Sequence, residues 1–230
     1  NCNDAEIPSS ERDLNASTFG EENSINAVFK YSSYGKWSVQ GSVVSVKYSG
    51  SKSSIQCTAE GRSDWFQANI DALIAKQGKD VSQYKKILYV LPPGICKWTG
   101  NFDIGKPRIY TTDGARPKVA AHELVHTFGM QHGATAAPLS ENQYGDHGDV
   151  LGGGPDAPLA QMNAARAVKF GFVPASAIQD ASTKGSYSLE AIESSPEKAK
   201  MKQVLRIFRT GSEKDPEYYY VSLRRPIGMD

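Results

Sequence analysis

Three of the four histidines of this 230-residue chain fall in one short segment whose spacing suits a metal ion. The segment reads His122-Glu123-Leu124-Val125-His126-Thr127-Phe128-Gly129-Met130-Gln131-His132. His122 and His126 are four residues apart, so on a helix their imidazoles project from the same face, one turn apart. Three imidazole ligands leave a fourth position for water, as in catalytic rather than structural zinc sites. The pattern therefore predicts a catalytic Zn²⁺ site with His122, His126 and His132 as ligands.

Two further residues of the segment complete the predicted chemistry. Glu123 adjoins the first ligand and can reach a water on the metal without binding the metal itself. Zinc would polarise the scissile carbonyl and activate this water, while Glu123, as general base, takes a proton from the water and passes it to the leaving amine. Gly129 allows the sharp turn that returns His132 to the site. The alternative is an amphipathic helix whose histidines have structural partners and whose third histidine is accidental.

The elements that must position these residues can be predicted from the flanking sequence. A helix from about Pro117 to Phe128 would carry the first two histidines, with proline in its first turn. The glycine-rich stretch 133–157 predicts a long structured loop. An apolar run at 87–91 predicts a buried strand, and 108–112 is a second strand candidate for which an edge position is one option.

The remaining patterns predict an α/β (α+β) fold with a twisted sheet, the active-site helix and a β-rich C-terminal part. We place a soft boundary near Val173, between a zinc peptidase core at 1–173 and a β-rich portion at 174–230 that we expect to be truncated. The other predicted helices are 24–34, 64–77 and 158–170, and the other predicted β segments are 37–48, 187–192, 204–208 and 218–223.

Composition excludes some classes of partner. The 26 basic and 25 acidic residues are spread along the chain without a basic block, which argues against nucleic-acid or anionic-membrane binding. No apolar run is long enough to span a bilayer.

The cysteines bear on the cellular compartment. We expect Cys57 to pair with Cys96, since both flank the first α/β segment, which leaves Cys2 free or bonded to sequence elsewhere. The alternative is three unpaired thiols in a reducing compartment. The sequon Asn15-Ala16-Ser17 is compatible with export.

The extended histidine motif is the metzincin signature, and other segments resemble the gametolysin-like metallopeptidases, the algal cell-wall lysins and their relatives. The similar segments, in chain order, are Ser32–Lys36, Tyr144–Asp146, Asp149–Gly152, Asn163-Ala164, Phe170–Pro174 and Tyr219–Arg224. The resemblance implies a secreted zinc endopeptidase acting on extracellular or cell-wall (glyco)proteins. A protein or glycoprotein substrate is the expected partner, an inhibitory propeptide is an open alternative, and a monomer is the expected state.

The resemblance also implies one departure from the family pattern. Leu151 stands where the family places the methionine of the Met-turn, the apolar floor beneath the zinc. Leucine and methionine have similar volumes, so we expect Leu151 to keep the packing role. Met162 is a rival for it, although its predicted helical context favours ordinary core packing.

Other polar residues near the motif have two interpretations each. Tyr144 could donate a hydrogen bond to the oxyanion, or be structural. His147 could bind substrate or stabilise the tetrahedral intermediate, or be a solvated loop residue. Asp146 and Asp149 could support a zinc ligand or bind calcium, but turn capping is the favoured interpretation.

Two other functions stay open. A non-catalytic extracellular binding or adhesion module could retain the zinc site as a relic, although the intact Glu123 argues against it. A zinc hydrolase acting on non-peptide amides would share the same site.

Overall fold

The computed structural model describes residues 9–134, 143–212, 214–226 and 228–229. The chain forms two compact units. The first comprises Asn1–Asn26, Val39–His132 and Gly154–Pro158, and the second comprises Ala27–Ser38, Gly133–Gly153 and Leu159–Asp230. Each unit contains a small sheet of mixed direction together with helical segments, which confirms the predicted α/β (α+β) class. The predicted boundary near residue 173 stays a prediction.

Apart from α1, which the sequence patterns did not predict, the helices lie where they were predicted but differ in length. In chain order they are α1 (Glu11–Phe19), α2 (Ile25–Ser32), α3 (Ala59–Phe66), α4 (Ala72–Lys76), α5 (Pro117–His126) and α6 (Ala164–Lys169). The helix predicted at 64–77 begins earlier, and a π-helical segment, Gln67–Asp71, joins α3 to α4. The helix predicted at 158–170 begins later, because the Asn163 side chain accepts a hydrogen bond from the Arg166 N–H and caps α6.

The sheet of the first unit contains β1 (Ile87–Val90), β2 (Gly100–Phe102) and β3 (Arg108–Thr111), in the order β1-β3-β2. β1 runs parallel to β3, and β2 pairs with β3 in the antiparallel sense. β3 is buried along its whole length at the centre of the sheet, so the edge option for 108–112 is wrong. The edge position on that side belongs to β2, which is too short for a sequence pattern to reveal.

An aromatic core and a disulfide stabilise the first unit. Phe66, Tyr89 and Tyr110 are almost fully buried, with ring centroids 4.7–5.2 Å apart. Cys57 and Cys96 form a disulfide, which confirms the expected pairing. Cys2 lies outside the described residues.

The stretch Trp37–Tyr48 was predicted to be β-rich, and this is wrong: it contains neither helix nor strand. Side chains rather than a partner strand bind its backbone. The Val39 N–H donates to the Asn26 side chain, and the Ser45 carbonyl accepts from Gln77. Alternation alone predicts a strand only where a neighbouring strand is available to pair.

The sheet of the second unit contains β4 (Ile178–Asp180), β5 (Val204–Ser212) and β6 (Asp215–Ser222), in the order β4-β5-β6. β5 and β6 confirm the strands predicted at 204–208 and 218–223. The strand predicted at 187–192 is wrong, since only Ala191 there makes a bridge, to Leu223.

None of the helices that the structure describes is long and apolar enough to span a membrane.

Candidate metal centre

Helix α5 carries the first two histidines of the motif and lies in the first unit. Pro117 occupies its first turn, as predicted, and the helix packs against β2 and β3. Most of its residues are buried, including the apolar set Val119, Ala120, Ala121, Leu124 and Val125. This burial anchors α5 along its length, so the two histidines are carried by a rigid element.

A tight turn after α5 returns the chain to the site. Gly129 has a φ of +78°, in the left-handed region that favours glycine, and its N–H donates to the carbonyl of His126 at 2.9 Å. Three residues later, His132 joins the other two histidines. The turn that the sequence predicted at Gly129 is therefore present.

The three imidazoles converge as a metal site requires. Their potential ligand nitrogens all lie within 4.8 Å of one another, and the Nε2 atoms of His122 and His126 are 3.0 Å apart. Tetrahedral zinc with Zn–N bonds of about 2.0–2.1 Å places its nitrogen ligands roughly 3.3 Å apart. The donor set and its spacing therefore fit zinc.

Two contacts fix the orientation of His126, which is buried. Its Nδ1 lies 2.6 Å from the carbonyl oxygen of Met130, so Nδ1–H donates there and Nε2 is left with its lone pair toward the cluster. Its ring stacks on Phe102 of β2, with centroids 5.2 Å apart and planes 16° from parallel. The ring is thus held at its edge by the turn and on one face by the sheet.

Glu123 is the buried carboxylate of the site, with 9% of its surface exposed. Burial raises its pKa to about 7, and the positive charge of Arg62 acts in the opposite direction. Gly100 of β2 faces it closely. A Cβ on Gly100 would lie 2.6 Å from Oε1 of Glu123, so the missing side chain leaves room for the carboxylate.

Sequence reasoning missed Arg62, Gly100 and Phe102, which contact the site or its supporting strand. They lie 20 to 60 residues before the motif. Gly100 and Phe102 reach it on β2, which pairs with β3, and Arg62 binds β2 from α3. The one local signal was Gly100, which lies between Trp98 and Phe102 in the chain. A glycine within a strand is only a weak indication that another group approaches the backbone closely.

The other predicted site residues lie in the second unit. Leu151 is fully buried, and its carbonyl accepts a hydrogen bond from the Gly133 N–H at 2.8 Å. Tyr144 and His147 are exposed. Met162 is buried but precedes α6 rather than lying within a helix, which corrects its predicted context. The roles predicted for Leu151, Tyr144 and His147 stay predictions.

Asp146 and Asp149 cap turns, as the favoured interpretation held. Asp146 accepts hydrogen bonds from the Gly148 N–H and the Asn163 side chain. Asp149, fully buried, accepts from the Leu151 N–H at 3.2 Å and pairs with Arg166 at 2.5 Å. Both aspartates therefore organise the turn that contains Leu151.

The chain was also compared with known proteins. The sequence model of one family, described as gametolysin peptidase M11, matches residues 11–226, which is nearly the whole chain. No curated protein matches, and no solved structure matches. The family match includes all three histidines and Glu123.

Proposed function

The chain belongs to the gametolysin peptidase family, a family of zinc metallopeptidases, and on that premise we propose that it cleaves internal peptide bonds of extracellular or cell-wall (glyco)proteins. The observation that carries the proposal is the convergence of three imidazole nitrogens within 4.8 Å, with the buried residue Glu123 directly following the first ligand in the chain. His122, His126 and His132 would hold the metal, and Glu123 would act as the general base.

The chain's residues then have separate tasks. Bound zinc supplies a Lewis acid that polarises a carbonyl and lowers the pKa of a bound water. Glu123 accepts a proton from the attacking water and donates it to the leaving amine nitrogen. Burial, which raises the pKa of Glu123, favours uptake of that proton by the carboxylate.

The free edge of β2 offers a place for the substrate backbone. The Thr112 N–H donates to the Thr99 carbonyl, and the Asp103 N–H donates to the Arg108 carbonyl. Because bonded pairs alternate in an antiparallel ladder, the N–H and C=O of Gly100 face away from β3. Among the described residues no strand pairs with β2 on that side. We propose that an extended peptide adds there, beside Glu123.

Two features support an extracellular setting for this activity. The Cys57–Cys96 disulfide is of the kind that persists in oxidising compartments. Asn15, the acceptor of the sequon, is exposed on α1. We propose that the protein is a monomer, because one chain supplies all three ligands and the base. An inhibitory propeptide is a further candidate partner.

Casein digestion by the purified, zinc-loaded protein tests the proposed function, with Glu123→Gln as a nearly isosteric control. We expect chelator-sensitive cleavage within the casein chain, and a loss of roughly 10²–10⁴-fold in kcat for the variant at unchanged zinc content. A zinc-loaded wild type that cleaves no peptide would favour the adhesion module, and cleavage confined to small amides would favour the non-peptide hydrolase.

A further inference from the structure

We propose that Arg62, which precedes the zinc-binding motif by 60 residues, is a positioning residue for the active site. It fixes β2 so that Phe102 stays stacked on His126 and Gly100 stays against Glu123. The inference rests on the proposed function, because it assigns Arg62 a task in the same reaction.

A single guanidinium binds three consecutive residues at β2 and just beyond it. Nη2 of Arg62 donates to the Asn101 side chain at 3.1 Å and to the Phe102 carbonyl at 3.0 Å. Nε and Nη2 donate to Oδ1 of Asp103 at 3.2 and 2.6 Å. The strand's position is therefore set from α3 as well as from its pairing with β3.

The guanidinium is itself held rigidly. Arg62 is 1% exposed, and its Cζ lies 4.5 Å from the ring centroid of Tyr110 and 5.6 Å from that of Trp98. The hydroxyl of Tyr110 donates to the second oxygen of Asp103 at 2.6 Å. An arginine enclosed by two rings and a bonded carboxylate has little freedom to move.

Stability alone gives a weak reason for such an arginine. A buried ion pair often stabilises a fold no more than an apolar residue of similar volume. Moreover, Nη1 of Arg62 has no hydrogen-bond partner among the described residues, which carries a desolvation cost. A role in positioning β2 explains why an arginine is buried here, which the stability of the fold alone does not explain.

Arg62 also limits where β2 can accept another strand. Phe102 and Gly100 are the two β2 residues whose backbone groups face away from β3. The Phe102 N–H donates to the Asn101 side chain, and its carbonyl accepts from Arg62. Among the described residues, this leaves Gly100 as the position of β2 at which neither the N–H nor the C=O has a hydrogen-bond partner, next to the Glu123 carboxylate.

The two ends of β2 connect Arg62 to the reacting groups. Phe102, whose carbonyl Arg62 binds, stacks on His126 at 5.2 Å. Gly100, two residues earlier, lies so close to Glu123 that an added Cβ would be 2.6 Å from its Oε1. A shift of β2 would therefore turn a zinc ligand and displace the base together.

The test compares Arg62→Lys with Arg108→Lys in the zinc-loaded and cobalt-substituted protein. Lysine keeps the charge but lacks the planar fork by which Nε and Nη2 of Arg62 both donate to Oδ1 of Asp103. Arg108 is a matched control: it is buried on β3, and its guanidinium pairs with Asp71 at 2.5 Å rather than with the residues of β2 that Arg62 binds. We expect both variants to lower Tm. Only Arg62→Lys should reduce kcat, by roughly 10–100-fold, and alter the visible spectrum of bound Co²⁺.

If Arg62→Lys matches Arg108→Lys in Tm, keeps the wild-type kcat and leaves the Co²⁺ spectrum unchanged, Arg62 is structural and the inference is wrong. If Arg62→Lys does not fold, Asn101→Ala takes its place, because it removes one of the same contacts. This variant must then give the same changes in kcat and in the Co²⁺ spectrum. Wild-type values of both would overturn the inference. A wild type without zinc or peptidase activity would instead contradict the proposed function, so the two failures are distinguishable.

Discussion

The carbonyl oxygen of Met130 lies 2.6 Å from Nδ1 of His126, so the turn that leads to the third histidine also orients the second. The contact assigns the proton to Nδ1 and places the lone pair on Nε2 of His126, the nitrogen that lies 3.0 Å from Nε2 of His122. The turn at Gly129 therefore affects two ligands: it orients the ring of His126 through Met130, and it brings His132 to the site.

Replacing Gly129 with alanine should weaken zinc binding. Alanine in the left-handed conformation costs about 1–2 kcal/mol, and relaxing that strain would move both Met130 and His132. We expect zinc affinity, measured by competition with a chelating dye, to fall roughly 10–100-fold. Gly78→Ala is the control, because Gly78 has a similar φ of +75° at the end of α4, outside the site. Equal zinc affinities in the two variants would show that the turn does not control the ligands.

Gly100→Ala should impair catalysis and spare the metal. The new Cβ would meet the Glu123 carboxylate and the Val119 side chain, each at 2.6 Å, so the base must move. We expect kcat to fall at least about tenfold while zinc content stays at one per chain. Gly185→Ala is the matched control, because among the described residues other than its chain neighbours none lies within 4 Å of the added Cβ. Full activity of Gly100→Ala would mean that the carboxylate does not need its present position.

How far the sequence predicts this site depends on sequence distance. The ligands, the base and the turn at Gly129 lie within one helix and its exit, where spacing and the needs of positive φ are local properties. Gly100 and Phe102 reach the site on β2, a three-residue strand with no detectable period, and Arg62 binds that strand from α3. The residues that bind the metal and act as the base could therefore be predicted from the sequence, but the residues of other elements that hold them in place could not.

The strands of the fold also differ in how well the sequence predicts them. The strands predicted at 87–91 and 108–112 are present as β1 and β3, which pair with each other in the parallel sense. The alternation at 37–48 did not form a strand, since Asn26, Gln77 and Glu11 bind its backbone instead. Alternating hydrophobicity reports which faces are buried but not whether a partner strand exists.

Loss of the disulfide should destabilise the first unit. The chain-entropy model assigns a loop of the 39-residue separation between Cys57 and Cys96 about 4 kcal/mol. We expect Cys57→Ser/Cys96→Ser to lower Tm measurably, and reductant to do the same to the wild type but not to the variant. Thiol titration of the denatured, unreduced protein that finds both cysteines free would contradict the pairing.

Leu151 should tolerate methionine and not alanine. It is fully buried, and methionine has a similar volume, so Leu151→Met should cost less than about 1.5 kcal/mol of unfolding free energy. Leu151→Ala leaves a cavity and should cost about 2–5 kcal/mol. Denaturant unfolding of both variants measures the difference, and equal stabilities would show that Leu151 is not tightly packed.

X-ray absorption at the zinc edge, combined with metal analysis of the purified protein, tests the central claim most directly. The account predicts one zinc per chain, with three imidazole nitrogens at about 2.0–2.1 Å and loss of this signature in His132→Ala. A protein without stoichiometric zinc, or a zinc whose histidine shell is unchanged in His132→Ala, would contradict it.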